Sequence, residues 1–207
     1  MTLEYTQIAD DIISVPLSAN PNRSALAKAL RKTAHIIEVV EGTQTLVIQY
    51  DCLAISSTEI ISTFETNLKA KHAVDAHVSK VLIIPVIYNE EAGPDLKQVC
   101  EALGVSQTEF VDIHTQQTYT IEMIGFTPGF AYVGGAAFNL PRLKQPRIRV
   151  NAGSIGLAGG YTGLYALEGP GGWPIVGRTS KKLFDPDRTN PFILAPQMQV
   201  KFEAVAS

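Results

Sequence analysis

At 207 residues, 45% hydrophobic and 18% charged, the chain has the composition of an ordinary globular protein with a sizeable core, not of a disordered or fibrous one. Its net charge of −3 argues against nucleic acid as the main partner, and no run approaches the roughly 18 consecutive apolar residues of a membrane helix. The start, MTLEYTQIADD, lacks the basic and apolar regions of a signal peptide, and Cys52 and Cys100 have no metal-type spacing, so a reducing cytoplasm with free thiols is expected.

In chain order, a first strand is predicted over Asp11–Leu17. Asn20-Pro21 then supplies an N-cap and an N1 proline for a helix whose Ala25, Leu26, Ala29 and Leu30 recur at helical spacing. Ile36–Val40 and Thr45–Tyr50 are β-rich runs joined by Glu41-Gly42-Thr43-Gln44, a hairpin signal. Ser56-x-x-Glu59 is a capping box opening a helix with Ile60, Ile61, Phe64 and Leu68 on one face. His72 and His77, among Lys69, Lys71 and Asp75, are expected in solvent. With Lys80–Tyr88 as a further strand, the order β-α-β-β-α-β predicts a ferredoxin-like α+β domain over residues 1–79, with Lys80–Tyr88 able to bridge into the next domain.

Beyond Tyr88 the pattern changes. Gly93-Pro94-Asp95-Leu96 opens a short helix ending near Leu103-Gly104, and a second capping box, Ser106-x-x-Glu109, starts a helix carrying Phe110, Ile113 and His114. From Thr118 short strands are broken by Gly and Pro, and Ile193–Phe202 supplies closing strands, so residues 80–207 predict a mainly-β barrel or sandwich.

Thirteen of the sixteen glycines lie between Ile124 and Thr179, together with Arg142, Lys144, Arg147, Arg149 and Arg178 against one acid, Glu168. Glycine in such density serves backbone geometry, either barrel corners or close approach to a ligand. No phosphate loop, dinucleotide fingerprint, nucleophile elbow or zinc-protease motif is present, and all four histidines lie outside the segment. What remains is an anion-binding set. Arg178, Arg147 and Thr162 are the expected catalytic residues; Arg149, Gly160, Gly163, Gly171, Gly172 and Trp173 are expected to bind ligand. Trp173 also reads as a core plug, and Arg178 as a salt-bridge partner of Asp185 or Asp187. Phe126, Pro128, Phe130 and Tyr132 are expected at a subunit interface or pocket wall, with barrel packing as the competing reading. No metal ligands are expected.

GFTPGFAYVGG, PRIRVNAGSIGLAGGYTGLY and PGGWPIVGRT, with IYNEEAGPDLKQVCEALG and His114-Thr115 upstream, resemble the family of the 5-oxoprolinase B component (PxpB), also called allophanate hydrolase subunit 1 or KipI-like. The resemblance is strong from Val86 to Phe202. Asn151 departs from it, standing where the family often has proline. It implies a cyclophilin-like barrel after the ferredoxin-like domain, and a cytoplasmic hetero-oligomer with the C and A components of 5-oxoprolinase. That complex converts 5-oxo-L-proline to L-glutamate with ATP and magnesium at a site shared with the C component, and the isolated chain is expected to be inactive. Other branches that resemble it inhibit a sensor histidine kinase or process urea and allophanate.

Overall fold

The computed structural model describes residues 4–17, 23–70 and 81–206. The chain forms two compact units, Met1–Ala76 and His77–Ser207. Asn20-Pro21, His72, His77 and Ser79 lie outside the described residues. Among the described residues, no helix is long and apolar enough to cross a membrane.

The first unit contains β1 (Thr6–Ala9), β2 (Ile12–Pro16), α1 (Arg23–Leu30), β3 (Ile36–Glu41), β4 (Thr45–Tyr50) and α2 (Ser57–Lys69). Its sheet is antiparallel, in the order β1-β2-β4-β3. Alternation buries Leu46, Ile48 and Tyr50 on one face of β4, with Ile13 and Val15 beside them, under Leu26 and Leu30 of α1 and Ile60 and Phe64 of α2. The capping box forms as predicted, the Ser56 side chain accepting from the Glu59 N–H while the Glu59 carboxylate receives the Ser56 N–H. The expected β-α-β-β-α-β order occurs in the chain as β2-α1-β3-β4-α2 followed by the strand Leu82–Val86, but its members do not form one ferredoxin-like sheet. β1, exposed along its length, takes the edge beside β2, and the strand predicted over Lys80–Tyr88 belongs to the second unit.

The second unit comprises β5 (Leu82–Val86), α3 (Leu96–Leu103), α4 (Gln107–Gln116), β6 (Tyr119–Ile124), β7 (Ala131–Gly134), β8 (Arg147–Val150), β9 (Ser154–Ala158), β10 (Tyr161–Leu164), β11 (Gly169–Gly171), β12 (Ile175–Arg178) and β13 (Gln199–Ala204). Seven strands run in the order β12-β9-β10-β7-β6-β13-β5, while β8 and β11 form a separate ribbon. β5 pairs in parallel with β13; the other pairings are antiparallel. Ile87 and Arg178 then exchange main-chain hydrogen bonds of 2.9 and 3.1 Å, bringing the two edges together into a nearly closed, barrel-like mixed sheet. A Cβ on Gly177 would lie 2.8 Å from the Ile87 carbonyl oxygen, and one on Gly93 would overlap the Val176 backbone, so the seam requires glycine at both.

The main core lies inside this sheet, where Ile84, Ile121, Val133, Leu157, Leu164 and Phe202 meet Leu96 and Val99 of α3 and Phe110 of α4. A second cluster on the other face joins Phe130, Val150, Ala158, Tyr165, Trp173 and Ile175. Trp173 lies over two neighbouring strands, made flat by Gly156 and Gly163. A Cβ at Gly163 would sit 2.7 Å from the Phe130 ring and 2.8 Å from the indole. Gly163→Ala is therefore expected to lower stability by about 1–3 kcal/mol through overpacking. Gly169→Ala, where a Cβ meets nothing within 4 Å, should change it little; urea unfolding of the two variants checks the contrast.

Candidate functional site

The glycines expected to cradle an anion have structural duties. Gly159 (φ 58°) and Gly160 (φ 80°) are the two central residues of the β9–β10 hairpin, a turn that needs left-handed backbone at both. Gly163 makes room for Trp173, and Gly171 makes room for the Tyr165 hydroxyl, 2.5 Å from where its Cβ would be. Trp173 is 6% exposed, its indole edge-on to Phe130 at 5.6 Å. Each of these positions thus has a turn or packing duty within the fold. Gly172 accepts a hydrogen bond from the Leu143 N–H at 2.7 Å, which ties the 142–144 loop to the ribbon.

Phe130 corrects an expectation too. At 1% exposure it is enclosed by Tyr132, Tyr165 and Trp173, so it is core within this chain and has no surface for a partner. Tyr132 is half-buried at the edge of the same cluster. Phe126 and Pro128 are exposed and wall an open cavity of about 580 Å³ with Ile124, Thr127, Asn190, Phe192 and Leu194. Phe126 is held at φ 70°, a left-handed conformation costing about 1–3 kcal/mol for a side chain of this kind. Main-chain bonds from Gly125 N–H to the Phe130 carbonyl and from Phe130 N–H to the Thr127 carbonyl, both 3.0 Å, fix that turn and leave the Phe126 ring 62% exposed at the rim.

The predicted cations separate. Arg149 forms a surface pair with Glu168 (2.7 Å, both well exposed), a contact contributing only ~0–1 kcal/mol. The Nη2 of Arg147 donates to Asp95 at 2.7 Å, and the second oxygen of Asp95 receives the Ile175 N–H at 2.6 Å. Asp95, which the sequence suggested only as a helix opener, thus anchors β8 and β12 together. Arg178 is half-buried and makes no ion pair among the described residues; Asp185, one of its alternative partners, binds Lys182 at 3.0 Å.

Thr162 is fully buried, which removes it from any surface reaction. Its hydroxyl lies 3.1 Å from the Nε2 of His114, whose Nδ1 lies 2.6 Å from the Tyr88 hydroxyl. Burial raises the pKa of Tyr88, so it keeps its proton, and because both hydroxyls can donate or accept, the two contacts satisfy a neutral imidazole in either tautomer. The imidazole is stacked between Phe110 and Phe202, and burial pushes its pKa down to about 3. Among the described residues no group of three or more His, Cys, Asp and Glu side chains could hold a metal ion.

Residues 4–194 match the family described as carboxyltransferase domain, subdomain C and D. The chain is 34% identical over 193 residues to the 5-oxoprolinase B component of Escherichia coli O157:H7, covering 91% of this chain and 87% of that one. It is 36% identical over 180 residues to the 5-oxoprolinase B component of Haemophilus influenzae, covering 86% and 84%. Among solved structures, TTHA0988 superposes with a TM-score of 0.80 at 30% identity over 95% of this chain, which spans 40% of that protein's length. The chain thus carries carboxyltransferase C and D subdomains. The chain belongs to the family of the 5-oxoprolinase B component.

His114 gives the fold a defined response to acid. Its folded-state pKa of about 3 lies below the ordinary 6.5, so the unfolded chain takes up the proton first. The neutral imidazole's stabilisation is complete above about pH 6.5 and is lost as pH falls toward 3, by up to ~1.4 kcal/mol per pH unit. His114→Phe should be less stable at pH 7 by about 1–3 kcal/mol, because two hydroxyls lose their partner. Its stability should nonetheless vary less than wild type between pH 6.5 and 5, as read by urea midpoints. An unchanged slope would mean that His114 does not set this dependence.

Proposed function

We propose that the chain is the B component of an ATP-dependent 5-oxoprolinase, working with the C and A components to convert 5-oxo-L-proline to L-glutamate, and that it contributes part of an active site shared with the C component. The observation carrying this reading is the similarity to 5-oxoprolinase B components along most of their length. The residues fit a supporting role. The histidine within the second unit's core, His114, is enclosed and held neutral, and Thr162 is spent on it, so neither serves as an accessible base or nucleophile.

The chemistry asks for little else from this chain. Lactam opening is slow because amide resonance resists attack. Transfer of the terminal phosphoryl group of ATP to the amide oxygen breaks that resonance; water then adds to the carbon, the ring C–N bond breaks with the nitrogen taking a proton, and hydrolysis of the resulting acyl phosphate releases glutamate and phosphate. Such a step depends on positioning and on charge placed in advance near the phosphoryl oxygens. Arg178 suits this task, since its main chain is fixed at the barrel seam by two hydrogen bonds while its guanidinium has no ion pair among the described residues. Magnesium would accompany ATP, and this chain's described residues offer it no donor cluster. The cavity walled by Phe126 and Pro128 is the surface we assign to the partner component, because an exposed ring held in a costly conformation is worth keeping where association uses it.

Purified alone and given ATP and 5-oxoproline, the chain should form no glutamate above blank, whereas addition of the C and A components should restore production. Robust turnover by the lone chain would refute the shared site. In the complex, Arg178→Lys keeps the charge but loses the planar fork, and turnover should fall by ~10–1000-fold with the unfolding temperature nearly unchanged. Phe126→Ala should weaken capture of the C component at unchanged stability. Normal turnover in the first variant and normal capture in the second would remove these residues from their assigned roles.

A further inference from the structure

Three side chains converge on Gly171–Gly172 through independent features of the backbone. Arg147 stands directly opposite Gly171 in the β8–β11 ribbon. The Tyr165 hydroxyl fills the position beside Gly171 that a Cβ would occupy. The Leu143 N–H, bonded to the Gly172 carbonyl, sets the Arg142 main chain beside the ribbon, and Arg142 acts electrostatically on the Tyr165 hydroxyl. The acids nearby are already engaged. Asp95 is filled by Arg147 Nη2 and the Ile175 N–H, and Glu168 is paired with Arg149. Arg147 Nη1, however, is buried and has no hydrogen-bond partner among the described residues. A buried guanidinium N–H left unpaired is costly, and in native proteins such groups are usually met by a water or an ion.

We propose that Arg142, Arg147 and Tyr165 form an oxyanion subsite at Gly171–Gly172, taking a carboxylate or phosphate group, with Asp95 as the positioning residue that holds Arg147 in place. Nη1 and the exposed Arg142 supply charge-assisted donors, and the phenol supplies a neutral one. Burial raises the Tyr165 pKa, outweighing a main-chain hydrogen bond from Trp173 and both arginines, which lower it, so the hydroxyl stays protonated and lies within the field of both cations. The 2.7 and 2.6 Å bonds made by Asp95 fix the guanidinium before any anion arrives, which limits the entropy lost on binding. Naming 5-oxoproline as one source of the carboxylate rests on the proposed function; the subsite itself does not.

Trp173, the sole tryptophan, directly follows Gly172 and is a built-in reporter. Its emission is followed while the full chain is titrated, at constant ionic strength, with inorganic phosphate, 5-oxoproline or 2-pyrrolidinone, the last being the same lactam without a carboxylate. A saturable response to phosphate alone assigns the site to a phosphate group, and a response to 5-oxoproline but not 2-pyrrolidinone assigns it to the carboxylate. Either should weaken about tenfold in Arg142→Gln, whose side chain is exposed and whose loss should leave the fold intact, and in Tyr165→Phe. Arg188→Gln, an equal change in net charge outside the ribbon, should bind like wild type. No saturable response to either anion, or equal loss in Arg142→Gln and Arg188→Gln, overturns the subsite. Glutamate production by the reconstituted complex without anion binding here would remove the subsite and keep the proposed function. Anion binding here with no glutamate from that complex would do the reverse.

Discussion

Closure of the seven-stranded sheet depends on bare main chain meeting main chain. Between β5 and β12 the contact is a single exchange of hydrogen bonds, Ile87 with Arg178, and no side chain fits between the strands at Gly177 or between the Gly93 turn and Val176. Asp95 reinforces that seam from its outer side. Its N–H donates to the Ile175 carbonyl at 2.9 Å while its carboxylate takes the Ile175 N–H and Arg147. One residue thus ties the start of α3 to β12 and to the ribbon. Because the Arg147 side chain is 32% exposed, removing one member of this pair costs less than in a fully buried one, about 1–3 kcal/mol.

The same logic explains the glycine-rich segment. A wide aromatic side chain can lie flat on a sheet only if the strands beneath it carry no Cβ, and Trp173 occupies that kind of bed on Gly156 and Gly163. Tyr165 uses Gly171 in the same way. With the aromatic side chains consumed in this cluster, the features left at the surface are the Arg178 guanidinium, the arginine corner beside Gly171 and the Phe126 rim. Each is held by backbone contacts rather than by loose loops, which is the condition for placing charge or a contact ring in advance of a ligand or partner.

What was legible in the sequence was local. Both capping boxes, the alternation of Thr45–Tyr50, the left-handed Gly104 stop at φ 69° and the change to short strands after Thr118 are set by residues within a few positions of each other. The β1 strand was not legible because its four exposed residues carry no hydrophobic alternation. The parallel pairing of Leu82–Val86 leaves no local signal because its partner, β13, is remote in sequence. The site was less legible still. Arg147 with Asp95 and His114 with Thr162 are pairings between distant strands and helices, and sequence spacing carries no signal for them. Burial, invisible in composition, separated Phe130 and Thr162 from the exposed Phe126, although all three sit in similar glycine-rich surroundings.

The parallel pairing of β5 with β13 has a consequence for biosynthesis. Leu82 is matched to Val200 and Val86 to Ala204, so the strand that opens the second unit finds its neighbour only when the far end of the chain has left the ribosome. Until then β5 presents a row of unpaired amides, and Val86 and Ile84 have no lid. Long-range pairing of this kind slows folding and prolongs exposure to other chains. The first unit, by contrast, holds all four strands of its sheet within its own stretch and can collapse early. Synthesis therefore delivers a finished first unit attached to an open sheet, a state in which chaperone protection or early contact with a partner protein has the greatest effect on yield.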